Sequence, residues 1–490
     1  MSSVSDEEPL LAVEGLEKHY PVTSGLLQRQ TGTIRAVDGI DFTVREGETV
    51  GLIGESGCGK STAASTVLRL EEPTGGTVRY RGEDVTAYDD SRLRRFRREA
   101  QVVFQNPADA FDPRMTVGES VAEPLRVQGF DRRDDRVAVV TDLLERVGLS
   151  ADVADRYPHA LSGGQKQRAA LARALSVNPD LLIADEPVSA LDVSVKAEML
   201  ALLRELQADL DLGVLLISHD MGVVREVCDR TVVMYAGEAV ERGPTESTFT
   251  DPAHPYTAAL VDAVPTVDTT TRRSGGHLDG EVPDPANPPD GCRFHPRCPA
   301  VVQPEALDAD QAVFRAVVDL RLALADGDLD RAAASELAAA PDGGSNPSEG
   351  VSDPSDGVSD PSDGESNPSD GVSDPTADVS DPSEVDDEAI TAAVRAEFDI
   401  PREMGNETLE LAVAETLDAL AADELDRARD RLARVTDSPC LDQVPETTTV
   451  TAETATQRAV DCHHHVADQP GSRDEVDVVR TTTPRESADD

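Results

Sequence analysis

The chain has 490 residues, with 95 Asp or Glu against 45 Lys or Arg, a formal charge of −50. That balance excludes nucleic acid as the main partner, because phosphate contacts need clustered Lys and Arg, and the one basic run, Arg92–Arg98, is short. No stretch approaches the roughly 20 apolar residues of a membrane-spanning helix. The opening MSSVSDEEPL has neither the basic nor the apolar region of a signal peptide. A soluble, cytoplasmic chain is therefore expected, with its six cysteines as reduced thiols or metal ligands. Residues 301–440 carry about half of the acidic excess. The rest, Asp-rich and with Lys only at Lys18, Lys60, Lys166 and Lys196, reads as the surface of a halophile, where salt screens self-repulsion.

Along the chain, short apolar runs alternate with helical patterns from 8 to 240. Strands are predicted at ETVGLIG (48–54), QVVFQ (101–105), DLLIADE (180–186), GVLLIS (213–218) and RTVVMYAG (230–237). Helices are predicted at STAASTVLRL (61–70), KQRAALARALS (166–176) and VKAEMLALLRELQADL (195–210). Strands separated by helices imply a buried parallel sheet, an α/β fold. Residues 241–300 are Pro- and Gly-rich and read as loop. Residues 305–340 and 387–436 read as helices, forming a small bundle. Between them, 345–386 is six tandem heptads of the type SDPSDGV. Each unit carries a Pro and lacks the apolar pair of a coiled coil, so the tract is expected to be disordered, as is the acidic tail from 467.

Gly54-Glu55-Ser56-Gly57-Cys58-Gly59-Lys60-Ser61-Thr62 follows a strand and opens a helix, which is the pattern of a P-loop. Glycines let the backbone wrap phosphates, and N–H groups at the helix start attract anions. Lys60 is expected on the β- and γ-phosphates of ATP and Ser61 on Mg²⁺. At the end of the 180–186 strand, Asp185 suits the metal and Glu186 suits a base that polarises the attacking water. Ser162-Gly163-Gly164-Gln165 opens another helix and offers a second anion site. One nucleotide has no need of two such sites from one chain, so a dimer is expected in which this loop caps the nucleotide on the partner.

These motifs, in this order, resemble the ABC ATPase family. The resemblance implies that Gln105 senses Mg²⁺ and faces the membrane subunits, and that Ser189-Ala190-Leu191-Asp192 is the D-loop. It further implies that His219 touches the γ-phosphate and that Tyr20 stacks on adenine. Cys58 reads as a small residue tolerated in the loop and Cys228 as a buried thiol. The segments PVTSGLLQRQTGTIRAVDGIDF, QVVFQNP, DPAHPYTAAL and GEVPDPANPPDGCRFHPRCP resemble the ATP-binding subunits of oligopeptide and dipeptide importers, second-ATPase type. That resemblance implies a heterodimer with another ATPase, two permeases and an extracytoplasmic binding protein, at the cytoplasmic face of the membrane. A nickel or other small-solute importer, or a soluble non-transport ABC ATPase, is the alternative.

The implied fold is a P-loop ABC ATPase core at 8–245, with a helical subdomain at about 105–175. A loop-rich extension follows at 246–300, an acidic insertion at 301–437, the end of the extension at 438–466 and a tail at 467–490. Members of this group carry four cysteines in the extension. Here Cys292 and Cys298 match the first pair and Cys440 and Cys462 the second, with the insertion between them. Four thiolates would suit a [4Fe–4S] cluster or zinc, with His463–His465 as competing ligands.

Overall fold

The computed structural model describes residues 8–24, 29–189, 191–264, 280–340, 385–451 and 457–465. Nearly all of the heptad tract and the tail from 467 lie outside these residues. The described residues contain strands β1 (Leu11–Ser24), β2 (Arg29–Val44), β3 (Thr49–Ile53), β4 (Gly75–Tyr80), β5 (Glu83–Asp84) and β6 (Ala100–Val103). They continue with β7 (Leu181–Asp185), β8 (Gly213–Ser218), β9 (Arg230–Tyr235), β10 (Glu238–Pro244), β11 (Thr447–Thr451) and β12 (Gln457–Asp461). The chain divides into two compact units, one of residues up to Val302 together with those from Ser438, the other Gln303–Asp437.

In the first unit, β9, β3, β8, β7 and β6 lie side by side and parallel. Strands β3 and β8 are buried along their whole length. Such strands read as unbroken apolar runs because helices cover both faces. A second, antiparallel sheet in the order β2-β1-β4-β5 has no counterpart in the sequence reading. Its β1–β2 hairpin runs from the pair Leu11 and Val44 out to Ser24 and Arg29. The helix Lys60–Val67 lies between the two sheets. Ala63, Ala64 and Val67 share one core with Leu11, Val13 and Phe42 on one side and Ile183, Leu215 and Ile217 on the other. A helix held from both sides fixes where its N-terminus points.

The region 241–300 departs from its reading as loop. It includes the end of β10 and the helices Thr245–Thr250 and Pro255–Asp262. Pro255 sits at the first helical position, where a missing N–H costs nothing, and His254 Nδ1 caps by accepting the Tyr256 N–H at 3.0 Å. Pro counted as a breaker therefore conceals a helix start. The segment 438–466 contributes a hairpin, β11–β12, that extends the main sheet by pairing with β10. Fully buried Glu241 on β10 meets Arg458 on β12 at 3.4 Å, and Arg458 also reaches Asp251 at 3.0 Å. Burial pushes the Glu241 carboxyl up, opposed by the His254 and Ala253 N–H groups and by Arg458.

The second unit consists of helices Gln311–Asp326, Arg331–Ala339, Asp387–Glu397, Glu407–Ala421 and Leu425–Val435. Asp310, Asp330, Asp386 and Asn406 cap the first four by accepting first-turn N–H groups. Leu409, Val413, Leu417 and Leu420 recur at helical spacing, and all are buried.

Candidate active site

The loop after β3 takes its shape from glycines. Gly54, Gly57 and Gly59 have φ of 153°, 82° and 105°. A Cβ on Gly59 would stand 1.9 Å from the Ala36 carbonyl oxygen, and one on Gly54 would stand 2.2 Å from that of Met234. Only glycine satisfies both the left-handed backbone and the close approach. The helix Lys60–Val67 starts at Gly59 without a side-chain cap, which leaves its first N–H groups for an anion. Lys60 is 6% exposed, and its Nζ donates to the Gly54 and Glu55 carbonyls, both at 2.8 Å. Cys58 is buried beside it, and burial pushes its thiol up against the opposing Lys60 charge. An inert, space-filling role suits that environment.

Parallel pairing brings the ends of β3, β7 and β8 together. Ser61 Oγ donates to Asp185 Oδ1 at 3.3 Å. Burial raises the Asp185 carboxyl and the Glu186 charge adds to this, while the Ser61 bond and Lys60 oppose it. A desolvated carboxylate beside a hydroxyl is a hard-oxygen donor set that fits Mg²⁺. Next in the chain, Glu186 has φ of +45°, held by its N–H donating to the Ile217 carbonyl at 2.9 Å. A non-glycine residue in that region stores strain of about 1–3 kcal/mol, a feature concentrated at functional sites. Its carboxylate accepts from Gln105 Nε2 at 2.7 Å on one oxygen and lies 2.7 Å from His219 Nδ1 on the other. Glu186 is thus aimed by two residues distant in sequence, and His219 is half exposed.

Ser162 and Gln165 form a reciprocal capping box at the start of the helix Gly163–Leu175, with bonds of 3.2 and 3.1 Å. Gly164 is required by close packing, since a Cβ would lie 2.7 Å from Val195. Around Gly163 there is open space within this chain. None of the described hydrogen bonds of Ser162 or Gln165 reaches the loop 54–62. Asp192 is exposed at the start of the helix Val193–Leu210, and Ala190 lies outside the described residues. The Tyr20 hydroxyl donates to Glu71 beside Thr62, and burial and that carboxylate push it up to about 12.

In the cysteine region the second expected pair lies near the first. The Cys292 N–H donates to the Cys440 carbonyl at 3.0 Å, and the Val302 N–H reaches Cys440 Sγ at 3.5 Å, so the two segments meet across the insertion. Burial raises the Cys292 thiol, and Cys462 and Cys440 add to it. Cys462 is likewise raised by burial, with Cys298 and Cys440 adding. Yet among the described residues no three of His, Cys, Asp and Glu are grouped so as to hold a metal ion. His463, His464 and His465 direct Nε2 to the carbonyls of Gln443, Ala300 and Ala253. The side-chain positions of Cys292, Cys298, Cys440 and Cys462 therefore lend no support to a [4Fe–4S] or zinc site.

Two residues that meet the P-loop lie in segments that carried the family resemblance, but were not among the expected site residues. The Tyr256 hydroxyl accepts the Glu55 N–H at 2.9 Å, and Arg297 grips the Glu55 carboxylate through both nitrogens at 2.7 and 3.1 Å. Both come from the region read as loop.

Residues 37–189 match the ABC transporter family, and 240–304 match the oligopeptide/dipeptide transporter C-terminal region. Residues 311–453 match a domain of unknown function. A probable peptide ABC transporter ATP-binding protein of Sinorhizobium fredii is 48% identical over 297 residues, 60% of this chain and 84% of that protein. The oligopeptide transport ATP-binding protein AppF of Bacillus subtilis is 45% identical over 304 residues, 61% and 91% of the two chains. The dipeptide transport ATP-binding protein DppF of Haemophilus influenzae is 44% identical over 297 residues, 61% and 90%. Together with the P-loop and its facing carboxylates, these matches show that the chain belongs to the ATP-binding subunits of the ABC transporters, in the group with an oligopeptide/dipeptide transporter C-terminal region.

Proposed function

We propose that this chain hydrolyses ATP at the cytoplasmic face of the membrane to power peptide import. It would work in a heterodimer with a second ATPase, on two permeases fed by an extracytoplasmic binding protein. The observation that carries the hydrolytic reading is Glu186, strained in φ and fixed by Gln105 and His219 next to the Ser61–Asp185 pair. In this reading the loop 54–62 wraps the triphosphate, Lys60 neutralises its charge, and Tyr20 supports the base. Ser61 and Asp185, with Gln105 nearby, would hold Mg²⁺, which supplies charge neutralisation at the phosphates. Glu186 takes the proton of the attacking water, and His219 orients Glu186 and meets the γ-phosphate.

The open space at Gly163 supports the dimer, since room unused within the chain suits a nucleotide bound to a partner. Ser162, Gly163, Gly164 and Gln165 would then complete the partner's site, with Asp192 at the dimer seam. ATP closes the pair and hydrolysis reopens it, two states whose populations the nucleotide shifts. Peptides as cargo rest on the names of the relatives. No described helix is long and apolar enough to cross a membrane, which suits attachment through permeases.

The test is Glu186→Gln in the complex with its permeases, reconstituted in vesicles. ATP binding should persist while turnover falls by about 10²–10⁴-fold and uptake of labelled peptide stops. Normal hydrolysis by this variant would remove Glu186 as the base.

A further inference from the structure

Glu55 places a carboxylate in the loop that is to receive a triphosphate, on the residue whose main-chain carbonyl holds the Lys60 amine. Lys60 Nζ already lies 2.8 Å from the Glu55 carbonyl. An unpaired negative charge there would repel the phosphates and compete with them for Lys60. The C-terminal extension meets this carboxylate with Arg297, whose side chain is only 5% exposed and binds both oxygens. A planar guanidinium matches a carboxylate in this two-point fashion, which a lysine does not. The same extension fixes the Glu55 peptide, because Tyr256 Oη accepts its N–H and leaves its carbonyl towards Lys60.

The support behind Arg297 is rigid. Phe294 packs on Tyr235 and Tyr256 with ring centroids 5.2 and 5.3 Å away, and the Arg297 guanidinium lies over Tyr235 at 5.9 Å. Tyr235 ends the parallel strand β9, so the arginine is braced against the main sheet and not on a free loop.

We propose that Arg297, with Tyr256, is a positioning residue of the ATP site: it neutralises Glu55 and draws its carboxylate away from the phosphates, so that the extension sets nucleotide affinity. Neither residue needs to touch ATP. The effect is electrostatic at its centre, which gives it a signature that simple loss of packing lacks. It grows with the number of phosphate charges, it is screened by salt, and it disappears when the carboxylate is removed as well.

The inference rests on the loop 54–62 being the nucleotide site, so the experiment includes Lys60→Ala. Binding of fluorescent ATP and ADP analogues is measured on the full chain, at about 0.1 M and about 1 M salt, where the screening length falls from ~10 to ~3 Å. Arg297→Met is expected to weaken ATP about tenfold at low salt and ADP less. The defect should shrink at high salt, and Glu55→Gln added to Arg297→Met should restore most of the affinity. A double variant as weak as Arg297→Met, or a single variant that binds like the unaltered chain while Lys60→Ala does not, overturns the proposal alone. If Lys60→Ala binds ATP normally, the loop is not the site and both readings fall.

Discussion

In the unit that carries the P-loop, Lys60, Glu241, Arg293 and Arg458 are all less than a tenth exposed, and each is bonded to a named partner. In Gln303–Asp437 the buried polar side chains among the described residues are Ser335, Thr416 and Thr436. Each of these donates to the carbonyl four residues back in its own helix, at 2.7, 2.8 and 2.8 Å. A buried charge is expensive to desolvate and persists only where its partner is well placed. A hydroxyl bonded to its own helix costs little and specifies little. The first unit therefore buries charged pairings across sequence, while the second buries apolar volume at helical spacing and keeps its cross-helix bonds, such as Arg321 to Thr436 at 2.7 Å, on partly buried arginines.

The largest consequence lies at β10 and β12. Arg458→Met would leave Glu241 buried without its counter-charge, and should cost about 3–5 kcal/mol in denaturant unfolding of the first unit. Glu241→Gln in the same background should recover part of that loss. A change under about 1 kcal/mol would show that the pairing is not what holds the hairpin. The matching experiment in the second unit is Leu417→Ala, a side chain 1% exposed. It should cost about 2–5 kcal/mol with ATP turnover retained, and loss of turnover would break the separation drawn between the units.

Smaller in energy but specific to the site is His219→Ala, which removes one of the two groups that aim Glu186. Turnover should fall by about 10²-fold, more than ATP affinity does, measured as kcat against KM. The smallest effect concerns Asp38, which meets Arg293 and lies 2.8 Å from His19. Burial works against its ionisation, but the Arg293 charge and bond, with His19, hold its carboxyl below the ordinary 3.8. A carboxyl depressed in the folded state stabilises above its unfolded pKa and loses that contribution as pH falls through the folded one. The stability gap between the unaltered chain and Asp38→Asn should thus be full at about pH 6 and close below that ordinary value. A gap that widens on acidification would reverse the sign assigned to Asp38.

Much of the core was readable locally. Strand β8 coincides with GVLLIS, because a fully buried parallel strand must be apolar at every position. The P-loop was readable because its glycines answer to backbone sterics within nine residues. The helices between the two cysteine pairs were visible in the Ala-, Leu-, Glu- and Arg-rich composition of their segments. The antiparallel β1–β2–β4 sheet was not, since its strands are only partly buried and leave a weaker pattern.

What the sequence alone determined were features whose cause is local: the glycine-shaped loop 54–62, the apolar parallel strands, the capped amphipathic helices. Only the tertiary structure decided the pairings between distant segments. It set Gln105 and His219 on Glu186, Arg458 beside Glu241 of β10, Arg297 on Glu55, and the second cysteine pair near the first. The physical reason is that a charge or a thiol announces its chemistry in sequence, whereas its burial and its partner follow from how strands far apart in the chain come to lie side by side.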